Sequence, residues 1–423
     1  MATTIVQRLA SAFTPFANRL VLLQRVTKPC PLVRRIFIMI PFLLLACFLL
    51  ILLLPHPTTP IKTPLLALNF PDPCIIQDHP SGIWYAFASG WWTPTNTTDT
   101  TTTKPNYKNI QAASAPHPSG PWTYLPSADP LPSPGPWTAG PGPDSQTWAP
   151  SILQLPPTTT HNTTYILFYT SQTLPPSTLH CIGAATSTTS ILGPYTPLPT
   201  PLICPLDLGG AIDPAVFRDP GDGRVYLLYK VDGNALGSGG ECGNGVVPRR
   251  GTPIVLQEVV VGVEGGGDGD GGVRLVLVGE GVVVLDREDG DGEGEGEGEG
   301  GDGPLVEAPE LVWIGDGEGG GGDKGEGGGE GVKGRYVLFY SNRCWDGPRY
   351  SVNYAVAEGN IMGPYKRADG PLIRTGDAFN ITAPGGAASV PGGRWMVFHG
   401  NCPEGRCLFG AEMAVVGSTV TVS

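Results

Sequence analysis

Three short stretches place a carboxylate at the opening of an apolar run: Asp72 in "NFPDPCII", Asp213 in "AIDPAVF" and Glu307 in "VEAPELV". A proline that follows closely disfavours helix and pushes its predecessor toward extended backbone, so these acids are expected to be aimed rather than loosely tethered. One Asp-Pro pair is ordinarily a turn signal; three carboxylates in one phase of a repeat point to a site. Three acids on one small rim cannot all ionise at ordinary pKa, because like charge and desolvation raise at least one of them. A protonated acid facing an ionised one across a cleft can cleave a glycosidic bond: the first protonates the leaving oxygen while the second activates water or attacks. Calcium binding is the competing use of such a cluster. It ranks second, because no Asp-rich loop with ligand spacing surrounds these residues.

The phase comes from an internal repeat. Five β-branched and aromatic runs read as buried strands: "IWYAFAS" at 83, "YILFYTS" at 165, "VYLLYKV" at 225, "YVLFYSN" at 336 and "WMVFHGN" at 395. Upstream of each stands a residue-proline pair: Asp72-Pro73, Ala149-Pro150, Asp213-Pro214, Ala308-Pro309 and Ala383-Pro384. Gly-Pro-aromatic closes three of the units, at Trp122, Tyr195 and Tyr365. No useful helical period follows residue 55, while 61 glycines and 45 prolines punctuate short strands. The reading is all-β: a five-bladed β-propeller, preceded by one N-terminal transmembrane helix, with each blade's innermost strand starting at a residue-proline pair.

Over about 68 to 420, apart from acidic inserts, the chain resembles glycoside hydrolase family 43, through "NFPDPCII", "TWAPSIL", "AIDPAVFRDPGDGRVYLLYK", "TPIVLQEV" and "VEAPELVW". The resemblance implies a five-bladed propeller hydrolysing arabinan- or xylan-type oligo- or polysaccharides with inversion. It implies Asp72 as general base, Glu307 as general acid and Asp213 as the group that orients the acid and raises its pKa. Members of the family often carry a histidine in a fifth-blade Pro-Gly-His segment near an axial ion; this chain has Pro384-Gly385-Gly386-Ala387. An axial calcium therefore has no matching histidine, and no cofactor is expected. "FRDP" at 217–220 also looks like the Arg-Asp-Pro signature of retaining fructan hydrolases, but Asp219 falls after the strand in a turn-like "RDPGDGR". A propeller that binds carbohydrate without turning it over is the reading from another class.

Trp84, Trp91, Trp92, Trp148, Trp313 and Trp345 are candidates to stack on sugar rings. Trp148, beside the second opening, is the best placed; Trp84 and Trp91 join it as expected substrate-binding residues. Most aromatics between blades belong to the core. His399, within a strand, reads as a satisfied core histidine rather than a catalyst.

Residues 36–54 are nineteen apolar positions without charge, about what a helix needs to cross a bilayer. The preceding 35 residues carry Arg8, Arg19, Arg25, Lys28, Arg34 and Arg35 and no acid, which keeps that end cytosolic. The expected order is a basic tail (1–35), a signal anchor (36–54), a linker (55–67) and the propeller (68–423), facing the lumen or exterior as a monomeric single-pass type II protein. Cleavage of the N-terminal segment would make it secreted. Sequons at Asn96, Asn162 and Asn380 and seven of nine cysteines follow the span, consistent with an oxidising compartment. Cys402 and Cys407 are the expected pair, and the odd number leaves one thiol free.

Of the net charge of −12, residues 262–334 contribute −16, from 20 acidic and 4 basic residues, so the remainder carries +4. The Gly-acidic tracts at about 287–303 and 315–334 have almost no apolar side chains and read as solvated, disordered inserts. With no basic stripe, no phosphate loop and no zinc spacing, nucleic acid is not an expected partner.

Overall fold

A computed structural model describes residues 63–92, 106–158, 162–263, 273–289, 301–315, 334–377 and 379–423. The tail, the 36–54 span, most of the linker, Asn96 and most of the two acidic tracts lie outside the described residues. Among the described residues no helix is long and apolar enough to cross a membrane.

The described chain forms five antiparallel sheets of four strands, each built from consecutive strands. Blade one is β1 (Cys74–Gln77), β2 (Trp84–Trp92), β3 (Tyr107–Ala115) and β4 (Thr123–Tyr124). Blade two is β5 (Trp148–Leu155), β6 (Thr164–Gln172), β7 (His180–Ser187) and β8 (Thr196–Pro197). Blade three is β9 (Ala211–Arg218), β10 (Val225–Val231), β11 (Ile254–Val263) and β12 (Val273–Leu285). Blade four is β13 (Val306–Gly315), β14 (Gly334–Asn342), β15 (Ser351–Glu358) and β16 (Lys366–Arg367). Blade five is β17 (Thr382–Ser389), β18 (Trp395–Cys402), β19 (Gly405–Val416) and β20 (Thr419–Val422). The repeated runs read from the sequence are the second strands, which are the most buried because each sheet packs on both faces.

Five hydrophobic clusters fill the five gaps between blades. Phe87 and Ile110 meet Ile152 and Leu167; Ile166 and Phe168 meet Leu227 and Val255; Leu228 and Leu256 meet Leu311 and Leu338. Phe339 and Val356 meet Phe398 and Phe409, and Phe70 and Ala86 meet Val397 and Leu408. The last gap is stitched by the N-terminal segment, which hydrogen-bonds β19 through Leu65 N to Leu408 O (2.8 Å) and Phe70 N to Arg406 O (2.7 Å). The ring thereby closes without an exposed seam between first and last blades.

The proline rule predicts an extended residue before each opening proline, and the structure departs from it. Asp72, Ala149, Asp213, Ala308 and Ala383 all have positive φ, of 53°, 43°, 56°, 50° and 50°. This is the left-handed region, uncommon for residues other than glycine. In blades two to five the strand pairing also slips at this point, so the opening is a bulge that turns the backbone at the axis.

Among the described residues three disulfides form: Cys181–Cys204, Cys242–Cys344 and Cys402–Cys407. The third is the pair predicted from the five-residue spacing, and Cys74 is a free thiol. Beneath the openings runs a narrow axial channel of about 40 Å³, lined by all five first strands, with the carboxyl of Glu310 in it. Burial pushes Glu310 up to about 8, against which the Ser389 amide at 3.4 Å works only weakly.

Folded Glu310 thus keeps its proton to about pH 8, whereas the unfolded chain releases it near 4.5. The native state binds the extra proton between those values, so stability falls as pH rises through the window and levels off above it. Glu310→Gln is expected to raise the thermal unfolding midpoint at pH 9 by a few degrees, on the order of 1–3 kcal/mol, and to leave it unchanged at pH 4. A midpoint unmoved at pH 9 would show that the carboxyl is solvated in the channel.

Candidate active site

The openings of the first four blades face a cavity of about 860 Å³, and Asp72, Asp213 and Glu307 all line it. Each arrives from a different blade, and each is fixed by partners from yet another.

Asp72 comes from the turn into β1. Its Oδ1 lies 3.0 Å from Nη1 of Arg406 on β19, and its Oδ2 accepts the Ser89 hydroxyl of β2 at 2.6 Å. The same Ser89 Oγ accepts the Ala149 amide at 2.9 Å, tying blade one to the opening of blade two. Asp72 donates its own amide to Nδ1 of His399 at 3.1 Å. Burial raises its pKa, but Arg406 and Ser89 outweigh it and hold the carboxyl below the usual range. Asp72 is therefore ionised.

Glu307, at the start of β13, is 7% exposed. Lys230 of β10 donates to its Oε2 at 3.0 Å, and the Tyr350 hydroxyl donates to its Oε1 at 2.9 Å. Asp213, third residue of β9, accepts the Ala308 amide at Oδ2 (2.9 Å) and donates its own amide to Thr170. Burial pushes Asp213 up to about 8, helped by the neighbouring Glu307 charge and opposed by Lys230. Near neutral pH Asp213 is thus driven toward its protonated form while Asp72 is held ionised, so the cavity brings a protonated and an ionised carboxyl together.

Of the predicted aromatics, Trp91 and Trp148 line the cavity, as does Trp345. Trp148 stacks on His180 at 4.1 Å between ring centroids, and the Arg406 guanidinium lies 5.0 Å from the centroid of Trp345. Trp84 does not belong to the site. It opens β2, paired with Gln77 at the far end of β1, and packs on the core between blades five and one. Seven residues of extended strand, roughly 23 Å, separate it from Trp91. Trp92 packs edge-on against Tyr107 at 5.4 Å, and Trp313 packs against the core between blades three and four.

His399 is fully buried in β18, as read from the sequence, and its contact with the Asp72 amide also makes it a wall of the site. Asp219 lies in the β9–β10 turn, where its Oδ1 accepts the Gly221 amide and its Oδ2 accepts the Tyr336 hydroxyl, each at 2.7 Å. It is six residues, roughly 20 Å of strand, from the opening that a fructan-hydrolase reading needs it to occupy.

Lys230, Tyr350 and Arg406 were not singled out from the sequence. Lys230 carried a signal, a lone cation ending the apolar run "VYLLYK"; Tyr350 and Arg406 reach the cavity from loop and strand positions with no distinguishing pattern. The residues present do not fit an axial metal. Nδ1 of His399 accepts the Asp72 amide and burial holds its pKa down at about 3, so the neutral ring carries its proton on Nε2 and has no lone pair there to offer. A Cβ on Gly386 would meet that ring at 2.8 Å, leaving no room for a histidine at 386.

No family model and no curated protein matches the chain. Solved structures do. A thermostable family-43 glycoside hydrolase aligns over 86% of this chain and 96% of its own, at 19% identity and a TM-score of 0.56. An endo-arabinase from Bacteroides thetaiotaomicron aligns over 85% and 99%, at 16% identity and a TM-score of 0.53. An α-L-arabinofuranosidase from Lactobacillus brevis aligns over 85% and 95%, at 13% identity and a TM-score of 0.53. The described chain thus has the five-bladed propeller fold of family-43 glycoside hydrolases.

Proposed function

We propose that the protein is a glycoside hydrolase cleaving arabinose- or xylose-containing glycans with inversion. The observation that carries this reading is the gathering of Asp72, Asp213 and Glu307 in one cavity, where Arg406 and Ser89 favour the ionised form of Asp72 and burial the protonated form of Asp213. Asp72, ionised and held by Arg406 and Ser89, takes a proton from the attacking water. Glu307, oriented by Lys230 and Tyr350, delivers the proton of the Asp213–Glu307 pair to the leaving oxygen. Asp213 keeps that proton available at neutral pH. Trp91 and Trp345, 47% and 49% exposed at the cavity wall, offer faces for sugar rings. The likeness in fold to an arabinase and an arabinofuranosidase supports the substrate class.

The test compares wild type with Glu307→Gln and Asp72→Asn on aryl α-arabinofuranoside, aryl β-xyloside and arabinan. Each substitution is expected to lower kcat by roughly 10²–10⁴ on poor leaving groups. Activated aryl leaving groups should restore much of the Glu307→Gln activity and none of the Asp72→Asn activity, because only the first loss concerns leaving-group protonation. Proton NMR of the first-formed sugar should show the inverted anomer. Hydrolysis of arabinan unaffected by Glu307→Gln would remove the proposed acid, and binding without turnover by wild type would make the propeller a carbohydrate-binding module.

For wild type, kcat/KM should be bell-shaped. Its acid limb falls below the ordinary carboxylate range, as Asp72 protonates, and its alkaline limb falls near pH 8, as the pair loses its proton.

We further propose a lumenal or extracellular propeller behind an uncleaved 36–54 anchor. The three disulfides support an oxidising compartment, and the sequon asparagines Asn162 and Asn380 are exposed. N-terminal sequencing of the mature protein decides the anchor: a start beyond residue 55 would mean a secreted form.

A further inference from the structure

The cation beside Glu307 has a second carboxylate of its own. Lys230 follows five buried residues of β10 and is itself fully buried. Its ammonium lies 3.0 Å from Oε2 of Glu307 and 3.0 Å from Oδ1 of Asp232, two residues further on. The surrounding groups come from every side of the cavity: Asp213 from β9, Asp72 with Arg406 from the join of blades one and five, Tyr350 after β14, and His180, near Asp232, and His399, both of which burial keeps neutral. Among these, Lys230 and Arg406 supply two positive charges against the carboxyls of Asp72, Asp213, Asp232 and Glu307. Arg406 is committed to Asp72, so the balance left to the Asp213–Glu307 pair depends on how much of the Lys230 charge Asp232 already absorbs.

Hydrogen bonding sets a direction. Glu307 accepts at both oxygens, from Lys230 and Tyr350, an arrangement that suits a carboxylate. Asp213 accepts the Ala308 amide at Oδ2. We propose that Lys230, tuned by Asp232, is a positioning residue that draws the shared proton of the resting enzyme toward Asp213 and sets how tightly the Asp213–Glu307 pair holds it. Removing the lysine charge leaves the pair without its adjacent cation, beside Asp232 and with Arg406 committed to Asp72, and tightens its grip. Removing Asp232 leaves the lysine uncompensated and loosens it. The two substitutions therefore act in opposite directions, which a merely structural role would not produce.

The proposal deepens the hydrolase reading but does not need turnover for its test. Infrared difference titration of the full-length protein follows the protonated carboxyl band, assigned with Asp213→Asn. Wild type should lose this band near pH 8. Lys230→Met should move the loss up by about one pH unit or more, Asp232→Asn should move it down by about as much, and the double variant should return it toward wild type. Lys230→Arg, which keeps the charge, should stay near wild type. Where hydrolysis is measurable, the alkaline limb of kcat/KM should track the same shifts. Absence of turnover in wild type would defeat the hydrolase reading and leave the titration to decide this one. A band that stays in place in both single variants, or moves the same way in both, overturns the proposal. Should Lys230→Met not fold by circular dichroism, Asp232→Asn decides: an unmoved or upward-moved band overturns it.

Discussion

Several carboxylates can share one buried cavity only if cations enter with them, and this charge balance governs the cavity end of the propeller. An unpaired buried carboxylate loses several kcal/mol of solvation. The two cations supplied here come from blades other than those that bear the acids they serve: Arg406 of blade five holds Asp72 of blade one, and Lys230 of blade three holds Glu307 of blade four. The chemistry of each acid is consequently a property of the closed ring. Asp72, with a guanidinium and a hydroxyl, is held ionised, while Asp213, desolvated by burial beside the Glu307 carboxyl, is driven toward its protonated form.

Closure is in turn a packing requirement. Each blade has two apolar faces and is covered only when both neighbours are present, so five separate clusters become continuous only in a complete ring. The segment from Leu65 to Phe70 supplies the last join, and the hydrogen bond from Phe70 N to Arg406 O runs next to the arginine that reaches Asp72. The strand pairing that seals the fold also places a cation in the site.

The left-handed residue before each opening proline separates strain from function. A left-handed non-glycine residue is commonly a mark of a functional position, at a cost of about 1–3 kcal/mol. Here Ala149, Ala308 and Ala383 adopt it as fully as Asp72 and Asp213 do. The conformation is a device of the repeat, turning each inner strand at the axis. Asp72 and Asp213 stand where that device already aims a side chain.

Much of this was legible in order of locality. Strand runs, residue-proline pairs and their shared phase are local patterns of period and composition, and they sufficed for the five blades, for the Cys402–Cys407 pair and for the three acids that converge. Trp84 was misjudged because adjacency in sequence to an opening says nothing about which end of a nine-residue strand faces the cavity. The extended geometry expected before proline gave way to a left-handed bulge, because the axial turn is imposed by five converging strands and not by the dipeptide. Lys230, Tyr350 and Arg406 could not be assigned to their acids, since the pairings span from 43 to 334 residues, and those of Lys230 and Arg406 exist only across a blade interface. Residue types and phase determined that acids would meet; the closed ring alone decided which of them would carry the proton, because protonation depends on distances between side chains that the chain order does not contain.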